Sequence, residues 1–239
     1  MIKGIIKKIL GRDLQQVIIN QTKELEWAHI YHDSIRDKGW INSLSLNIGR
    51  WAGNYPFFYI LNRILNDYKP KEILELGLGE SSKFISTYLD NYLMESTHTI
   101  IEQDNNWKNN FNDRFTLSTR SSVHILPLQK KNINGFKFNG YEKIEEFITK
   151  KYDLYLVDGP LGSSYYSRYD IVNIVKKMNK NDEFILILDD VNRDGEKQTF
   201  NELKKLFKEK EIDIHIGQYG GMKSVAVIGT KKYRFVESL

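Results

Sequence analysis

The sequence predicts an α/β fold, a mainly parallel sheet with helices packed on both faces. Three observations carry this expectation. From residue 57 onward, short apolar runs alternate with segments of helical spacing, as strands do when crossover helices join them. One run, Ile73-Leu74-Glu75-Leu76, ends in Gly77-Leu78-Gly79 and leads straight into a helix-spaced segment. Later runs end in acidic residues, at Glu102, Asp158 and Asp189-Asp190, and in open α/β sheets ligands gather at the carboxyl ends of the strands.

The totals narrow the class. The 239 residues, 41% hydrophobic, suffice for one globular domain with an ordinary core. Cysteine is absent, which excludes disulfides, cysteine–zinc sites and thiol nucleophiles and fits a reducing, cytoplasmic compartment. The net charge is +4, with Lys and Glu intermixed along the chain, so a dedicated nucleic-acid surface is not expected. No run approaches the ~18 apolar residues of a membrane span. Lys7 and Lys8 interrupt the apolar positions of residues 1–10 and no small-residue cleavage site follows, so no secretory signal is expected.

Residues 2–10 place Ile2, Ile5, Ile6, Ile9 and Leu10 on one helical face, with Lys3, Lys7 and Lys8 opposite, and Gly11 is expected to end this helix. A short basic amphipathic helix can lie on an anionic membrane, or dock on its own domain or a second subunit; docking is the favoured expectation. Asp13-x-x-Gln16 reads as a capping pair for a second helix with Leu14, Val17, Ile18 and Leu25 inward. Residues 27–56 are irregular and aromatic, with Trp27, Tyr31, Trp40, Trp51 and Tyr55. They read as part of an N-terminal cover, residues 1–56, over a main domain of residues 57–239, or as a wall of an acceptor pocket. His29 and His32 stand three apart but lack a companion metal ligand.

Phe57, Phe58, Ile60, Leu61, Ile64, Leu65 and Tyr68 form an amphipathic helix that ends near Lys69-Pro70. The strand over residues 72–76 and the glycine turn follow. Glycine lacks a Cβ, so a ligand can lie against the backbone there. The helix opened by Ser81-Ser82, with Phe84, Ile85, Tyr88 and Leu89 inward, turns free N–H groups and a positive dipole end toward that ligand. Glu75 stands where a dinucleotide fingerprint carries glycine, and the third glycine is missing. A carboxylate there repels a pyrophosphate and suits a cationic amino-acid head group. Residues 98–102 form the second strand. Glu102, about 25 residues beyond the glycine turn, can accept both ribose hydroxyls of an adenosine ligand, with Asp104 as second choice. Trp107 either covers the adenine or packs. Residues 123–126 read as a third strand, residues 129–140 as a polar surface loop and residues 141–148 as a short helix.

Residues 152–158 and 184–190 are apolar strands ending in Asp158 and in Asp189-Asp190, with a helix-spaced segment at 168–178 between them. This β-α-β unit brings three carboxylates to one sheet edge. Burying them unpaired is costly, and hard oxygen ligands suit Mg²⁺ or Mn²⁺. The plainer alternative is that Asp158 and Asp190 only cap helices or turns. Residues 196–209 are amphipathic, with Phe200, Leu203, Leu206 and Phe207 inward, and strands at 212–216 and 224–228 close the sheet.

The pattern Glu75-x-Gly77-x-Gly79-x-Ser81 resembles motif I of the class I S-adenosylmethionine-dependent methyltransferases. Asp158, Asp189 and Asp190 are similar to the metal-binding pattern of the catechol O-methyltransferase-like enzymes. The Asp-Asp pair looks closer to the macrolide-sugar O-methyltransferases. Val157-Asp158-Gly159-Pro160, with Arg168 downstream, is similar to the glucuronoxylan sugar-acid methyltransferases. The resemblance covers roughly residues 57–230. It implies a three-layer α/β/α Rossmann-like fold with a seven-stranded, mostly parallel sheet, a C-terminal antiparallel hairpin strand and an N-terminal helical cover. It implies S-adenosylmethionine as cofactor, with its methionine part near Glu75, Gly77, Leu78, Gly79, Ser81 and Asp158 and its ribose near Glu102, Gln103 and Asp104. It implies a divalent cation, Mg²⁺ or Mn²⁺, on Asp158, Asp189 and Asp190 as the catalytic group, and a sugar or glycan-precursor hydroxyl as methyl acceptor. Arg168, Arg193 and Tyr165 are the acceptor-binding candidates. The catechol enzymes carry a lysine base three residues after the first metal aspartate, where Leu161 stands here. The base is therefore open among Asp158, His215 and Tyr165-Tyr166. A nicotinamide-dependent oxidoreductase is disfavoured by Glu75, a nucleic-acid methyltransferase by the missing basic patch, and a non-catalytic partner protein by the intact motifs.

Overall fold

The computed structural model describes residues 2–239, with side chains described from Leu14 onward. A long helix, α1 (Ile2–Ser34), a single turn, α2 (Gly39–Asn42), and α3 (Tyr55–Asp67) precede β1 (Glu72–Leu76). There follow α4 (Glu80–Asn91), β2 (Thr97–Glu102), α5 (Asn105–Asn112) and β3 (Ser121–Ile125). A hairpin of β4 (Leu128–Ile133) and β5 (Phe136–Tyr141) and the short α6 (Ile144–Phe147) lead to β6 (Leu154–Val157) and α7 (Asp170–Val175). The chain closes with β7 (Ile185–Leu188), α8 (Asp194–Glu209), β8 (Ile214–Gly220), β9 (Ser224–Thr230) and a 3-10 segment over Lys231–Ser238.

Seven strands form one sheet in the order β3-β2-β1-β6-β7-β9-β8. The first five are mutually parallel, and β9 runs antiparallel to both of its neighbours. This is a Rossmann-like α/β fold, as the sequence predicts. The central strands are buried on both faces, which is why they read as unbroken apolar runs. Ile73, Leu154, Ile187 and Val227 meet α3 and α4 on one face. Leu74, Val157, Leu186 and Ile228 meet α7 and α8 on the other. Strand order reverses between β1 and β6, so their connections leave in opposite directions and open a crevice at the carboxyl edge.

The N-terminal region differs from the sequence reading. Gly11 does not end a helix, and Asp13 and Gln16 have no helix start to cap, because α1 runs unbroken from Ile2 to Ser34. A single glycine costs a helix only about 1 kcal/mol. Leu14, Val17, Ile18 and Leu25, expected inward, are 66, 46, 53 and 66% exposed. The face that meets the body carries Glu24, Trp27, Tyr31 and, just past the helix, Ile35. Glu24 accepts from the backbone of Tyr55 (2.9 Å) and Met222 (2.8 Å), and the Trp27 indole donates to Gly220 O (3.2 Å). The side chains of residues 2–10, with their possible membrane or docking role, lie outside the described residues. No helix among the described residues is long and apolar enough to cross a membrane.

Residues 129–140 are not an irregular loop but most of an antiparallel hairpin. Asn134 and Gly135, both at positive φ (51° and 83°), make its two-residue turn. Tyr141 ends β5, so only residues 144–147 of the expected helix at 141–148 are helical. The polar α5 was not expected from the sequence; Asp104 caps it and Phe111 anchors it.

Candidate active site

The glycine turn after β1 works through close approach. Gly77 has φ +103°, and a Cβ on it would stand 3.0 Å from Gly159 N. A Cβ on Gly159 would in turn stand 2.9 Å from Gly77 Cα. The connections leaving β1 and β6 therefore touch backbone to backbone, which a side chain at either position would prevent. Gly79 precedes α4, and its N–H donates to Ser82 Oγ (3.0 Å).

Glu75 is fully buried beneath this turn. Ser81 donates its hydroxyl to Oε1, and Ser82 donates to Oε2 at 2.7 Å. His98 Nε2 lies 3.0 Å from Oε2 but off the hydrogen-bonding direction. Glu75 and Ser81 thus bond each other and hold the first turn of α4 against the end of β1. Glu102, 2% exposed, accepts from Leu78 N at Oε2 (2.9 Å) and from Gln103 N and Asp104 N at Oε1 (2.7 and 2.9 Å). Burial pushes its carboxyl above the usual range, and these three N–H groups oppose that. Asp104 caps α5 by accepting from Asn106 N (2.8 Å) and Trp107 N (3.2 Å). Trp107, half-exposed, donates its indole N–H to Leu78 O (2.7 Å) and so flanks the turn between β1 and β2.

The second part of the site lies across the crevice. Asp158, Asp189 and Asp190 each offer an oxygen, all within 4.8 Å of one another. Asp189 is fully buried, and neither of its oxygens has a hydrogen-bond partner among the described residues; nor does Asp190 Oδ1. Burial first, then the neighbouring Asp158 and Asp190, pushes Asp189 up to about 8 from 3.8. Asp158, partly open to solvent, is pushed up to about 6 by burial, with Arg168 pulling the other way.

Arg168 sits inside this cluster, 4% exposed. Its Nη2 is 3.0 Å from Asp158 Oδ1 and 3.1 Å from Asp190 Oδ2, and its Nε is 3.7 Å from Glu196 Oε1. Its Nη1 donates to Asp189 O (2.9 Å). Burial disfavours the guanidinium charge, but the carboxylates outweigh that and keep it protonated. The expected acceptor-binding Arg168 is therefore placed as an internal counter-ion. Arg168 and Asp190 both have φ +61°, a left-handed conformation that non-glycine residues hold only where their surroundings impose it. Arg193, half-exposed, reaches Asp190 Oδ2 (3.0 Å) from the rim. Tyr165 is exposed on the loop after β6 and lies against Phe136, ring centroids 4.5 Å apart. Leu161 is exposed on the same loop.

Two neighbours of the cluster have no signal in the sequence. Lys223 Nζ stands 3.8 Å from Asp190 Oδ1 and donates to Ala52 O (2.8 Å), tying the cover to the acids. Glu196, in the first turn of α8, is buried beside Arg168. His215, a candidate base, pairs with Gly229, which pairs with Ile185 at the start of β7. It therefore lies at the opposite sheet edge, bonded to Glu237 (3.0 Å).

The donor set fits a hard divalent cation: three clustered carboxylates with unpartnered buried oxygens, and no softer ligand in the cluster among the described residues. The guanidinium bridging Asp158 and Asp190 is its competitor for charge.

No protein-family model matches the chain, and the comparison with curated proteins gives no match. Solved structures do match in fold. The O-methyltransferase TomG from Streptomyces achromogenes, crystallised with S-adenosylmethionine, is 11% identical. The alignment covers 85% of this chain and 88% of TomG, with a TM-score of 0.50. An O-methyltransferase from Bacillus cereus, in complex with S-adenosylhomocysteine, is 12% identical over 84% of this chain and 90% of its own, with a TM-score of 0.48. At 11% identity the likeness to TomG establishes the fold and nothing finer.

Proposed function

We propose that the protein transfers a methyl group from S-adenosylmethionine to a hydroxyl oxygen of a sugar or glycan precursor, with help from a divalent cation. One observation carries the reading: the buried, unpartnered carboxylate of Asp189 stands with Asp158 and Asp190 across a crevice from a glycine turn. The fold shared with methyltransferases supports it.

In this reading the backbone of Gly77–Gly79 lies along the methionine part of the cofactor. Glu102 faces the ribose and Trp107 the adenine. Glu75 acts indirectly, holding Ser81 and Ser82 so that the N-terminal N–H groups of α4 face the ligand. Asp158, Asp189 and Asp190 would hold the cation, whose chemistry is to lower the pKa of an acceptor hydroxyl and orient it. The new bond forms between that oxygen and the methyl carbon as the carbon–sulfur bond breaks, leaving S-adenosylhomocysteine. Asp158, the member of the trio open to solvent, takes the hydroxyl proton. Positioning the two reactants supplies much of the rate in such an in-line displacement.

Arg168 favours a second reading, in which the guanidinium alone balances the acids and methyl transfer needs no metal. Calorimetric titration with S-adenosylhomocysteine, with and without Mg²⁺, tests both. Micromolar binding, about −8 kcal/mol, is expected. No heat at two temperatures overturns the cofactor assignment. Turnover unchanged by EDTA, once an acceptor is in hand, selects the metal-free reading.

A further inference from the structure

The β4–β5 hairpin and the loop leaving β6 border an open cleft of about 420 Å³ that none of the cofactor or metal assignments uses. Its walls are built. Asn139 N–H donates to Ser163 Oγ (2.7 Å), and the Asn139 side-chain amide donates to Leu161 O (3.0 Å) and Gly162 O (3.1 Å). Lys130 Nζ donates to Asn139 Oδ1 (2.6 Å).

The lining is cationic and aromatic. Lys130 and Lys137 line it and no acidic residue does. Neither lysine has an ion-pair partner among the described residues. Their neighbour Lys131, on the opposite face of β4, is paired with Asp170 at 2.8 Å. Phe136 and Tyr165, packed against each other and 42 and 45% exposed as residues, line it, and Ser163 and Ser164 add hydroxyls. Unpaired cations call for an anion, exposed rings for the apolar face of a sugar ring, and hydroxyl and amide groups for its hydroxyls.

The cleft and the acid cluster lie on two sides of one loop, residues 159–168. A Cβ on Gly162 would stand 3.7 Å from Glu196 Oε1, Glu196 is 3.7 Å from Arg168, and Arg168 is 3.0 Å from Asp158. We infer that the cleft is an acceptor subsite for a negatively charged sugar unit, carrying a carboxylate or a phosphate, adjacent to the unit whose hydroxyl is methylated. The acceptor thus has more than one ring. The link to methylation rests on the proposed function; binding in the cleft does not.

An NMR titration of the full-length protein, observing the amides of Gly135, Ser163 and Ser164, tests this with trigalacturonate, glucose 1-phosphate and the neutral maltotriose. At least one anionic probe is expected to move these signals, and which one does separates carboxylate from phosphate. Maltotriose is expected to leave them in place. The double variant Lys130→Ala/Lys137→Ala is expected to bind the anionic probe about tenfold more weakly, from the loss of two exposed charges, with S-adenosylhomocysteine affinity unchanged. Silence from both anionic probes overturns the inference, as does equal response to maltotriose or unweakened binding by the double variant. If S-adenosylhomocysteine binds and no sugar does, only this inference falls. If the sugar binds and S-adenosylhomocysteine does not, the methyltransferase reading falls and the cleft stands.

Discussion

Glu75 and Asp189 are both fully buried carboxylates at the carboxyl ends of strands in one sheet, two strands apart, yet the protein treats their oxygens differently. Each oxygen of Glu75 takes a serine hydroxyl from the helix start above it, while neither oxygen of Asp189 takes a hydrogen bond from any of the described residues. The glycine-turn side of the crevice is framed in advance; its charges hold the turn in shape. Asp189 is left short of donors, so its ionised form carries a desolvation cost that Arg168 offsets only in part. A group that costs stability and holds nothing together is available for a proton or a cation.

The sharpest way to break this comparison is to remove Glu75. Glu75→Ala leaves two buried hydroxyls without an acceptor and opens a cavity, so a loss of about 3 kcal/mol is expected in urea unfolding. A loss below about 1 kcal/mol would show that Glu75 frames nothing. Asp189→Asn is expected to do the reverse: turnover falls by roughly a hundredfold or more while the melting temperature above pH 8, where Asp189 is ionised, holds or rises, because a buried charge without a hydrogen-bond donor is gone. Survival of both turnover and metal dependence in that variant would remove the catalytic role.

The pH dependence sharpens the contrast further. Asp189 in the folded state is pushed up to about 8 from 3.8, so between those values the folded protein holds a proton that the unfolded chain has released. Stability contributed by this group is therefore full near pH 4 and is lost as pH rises toward 8, with a slope of up to ~1.4 kcal/mol per pH unit. Mn²⁺ replaces the proton, so its effect on the melting temperature should be larger at pH 8 than at pH 6; an effect independent of pH would contradict cation binding at Asp189. The smallest change is expected at the rim. Arg193, half-exposed in its pair with Asp190, should shift stability by no more than about 1 kcal/mol when changed to Ala.

Several of these elements were legible in the residues, and the misses have particular causes. Residues 73–76, 154–157 and 185–188 could be read as central strands because burial on both faces leaves an apolar run that little else explains. The hairpin at 128–141 carries a turn signal, Asn134-Gly135, that the lysines and asparagines around it outweighed. The inward face of α1 differs from the sequence reading because the stripe that meets the body is polar and aromatic, Glu24, Trp27 and Tyr31, while Leu14, Val17, Ile18 and Leu25 face out. Helix α5 was missed because asparagine-rich segments have little helical preference of their own; Asp104 and Phe111 hold it.

Local pattern thus specified which strands exist, where the glycine turn falls and which strands end in acids, since each of those features is written within a few adjacent residues. Packing decided what those acids meet. Arg168 enters the cluster from ten residues beyond Asp158 on a left-handed backbone, and Lys223 arrives from the far hairpin while gripping Ala52 of the cover. These contacts join segments far apart in the chain, and the distances of 3.0 to 3.8 Å that set the charge balance arise only when the sheet brings those segments to one edge.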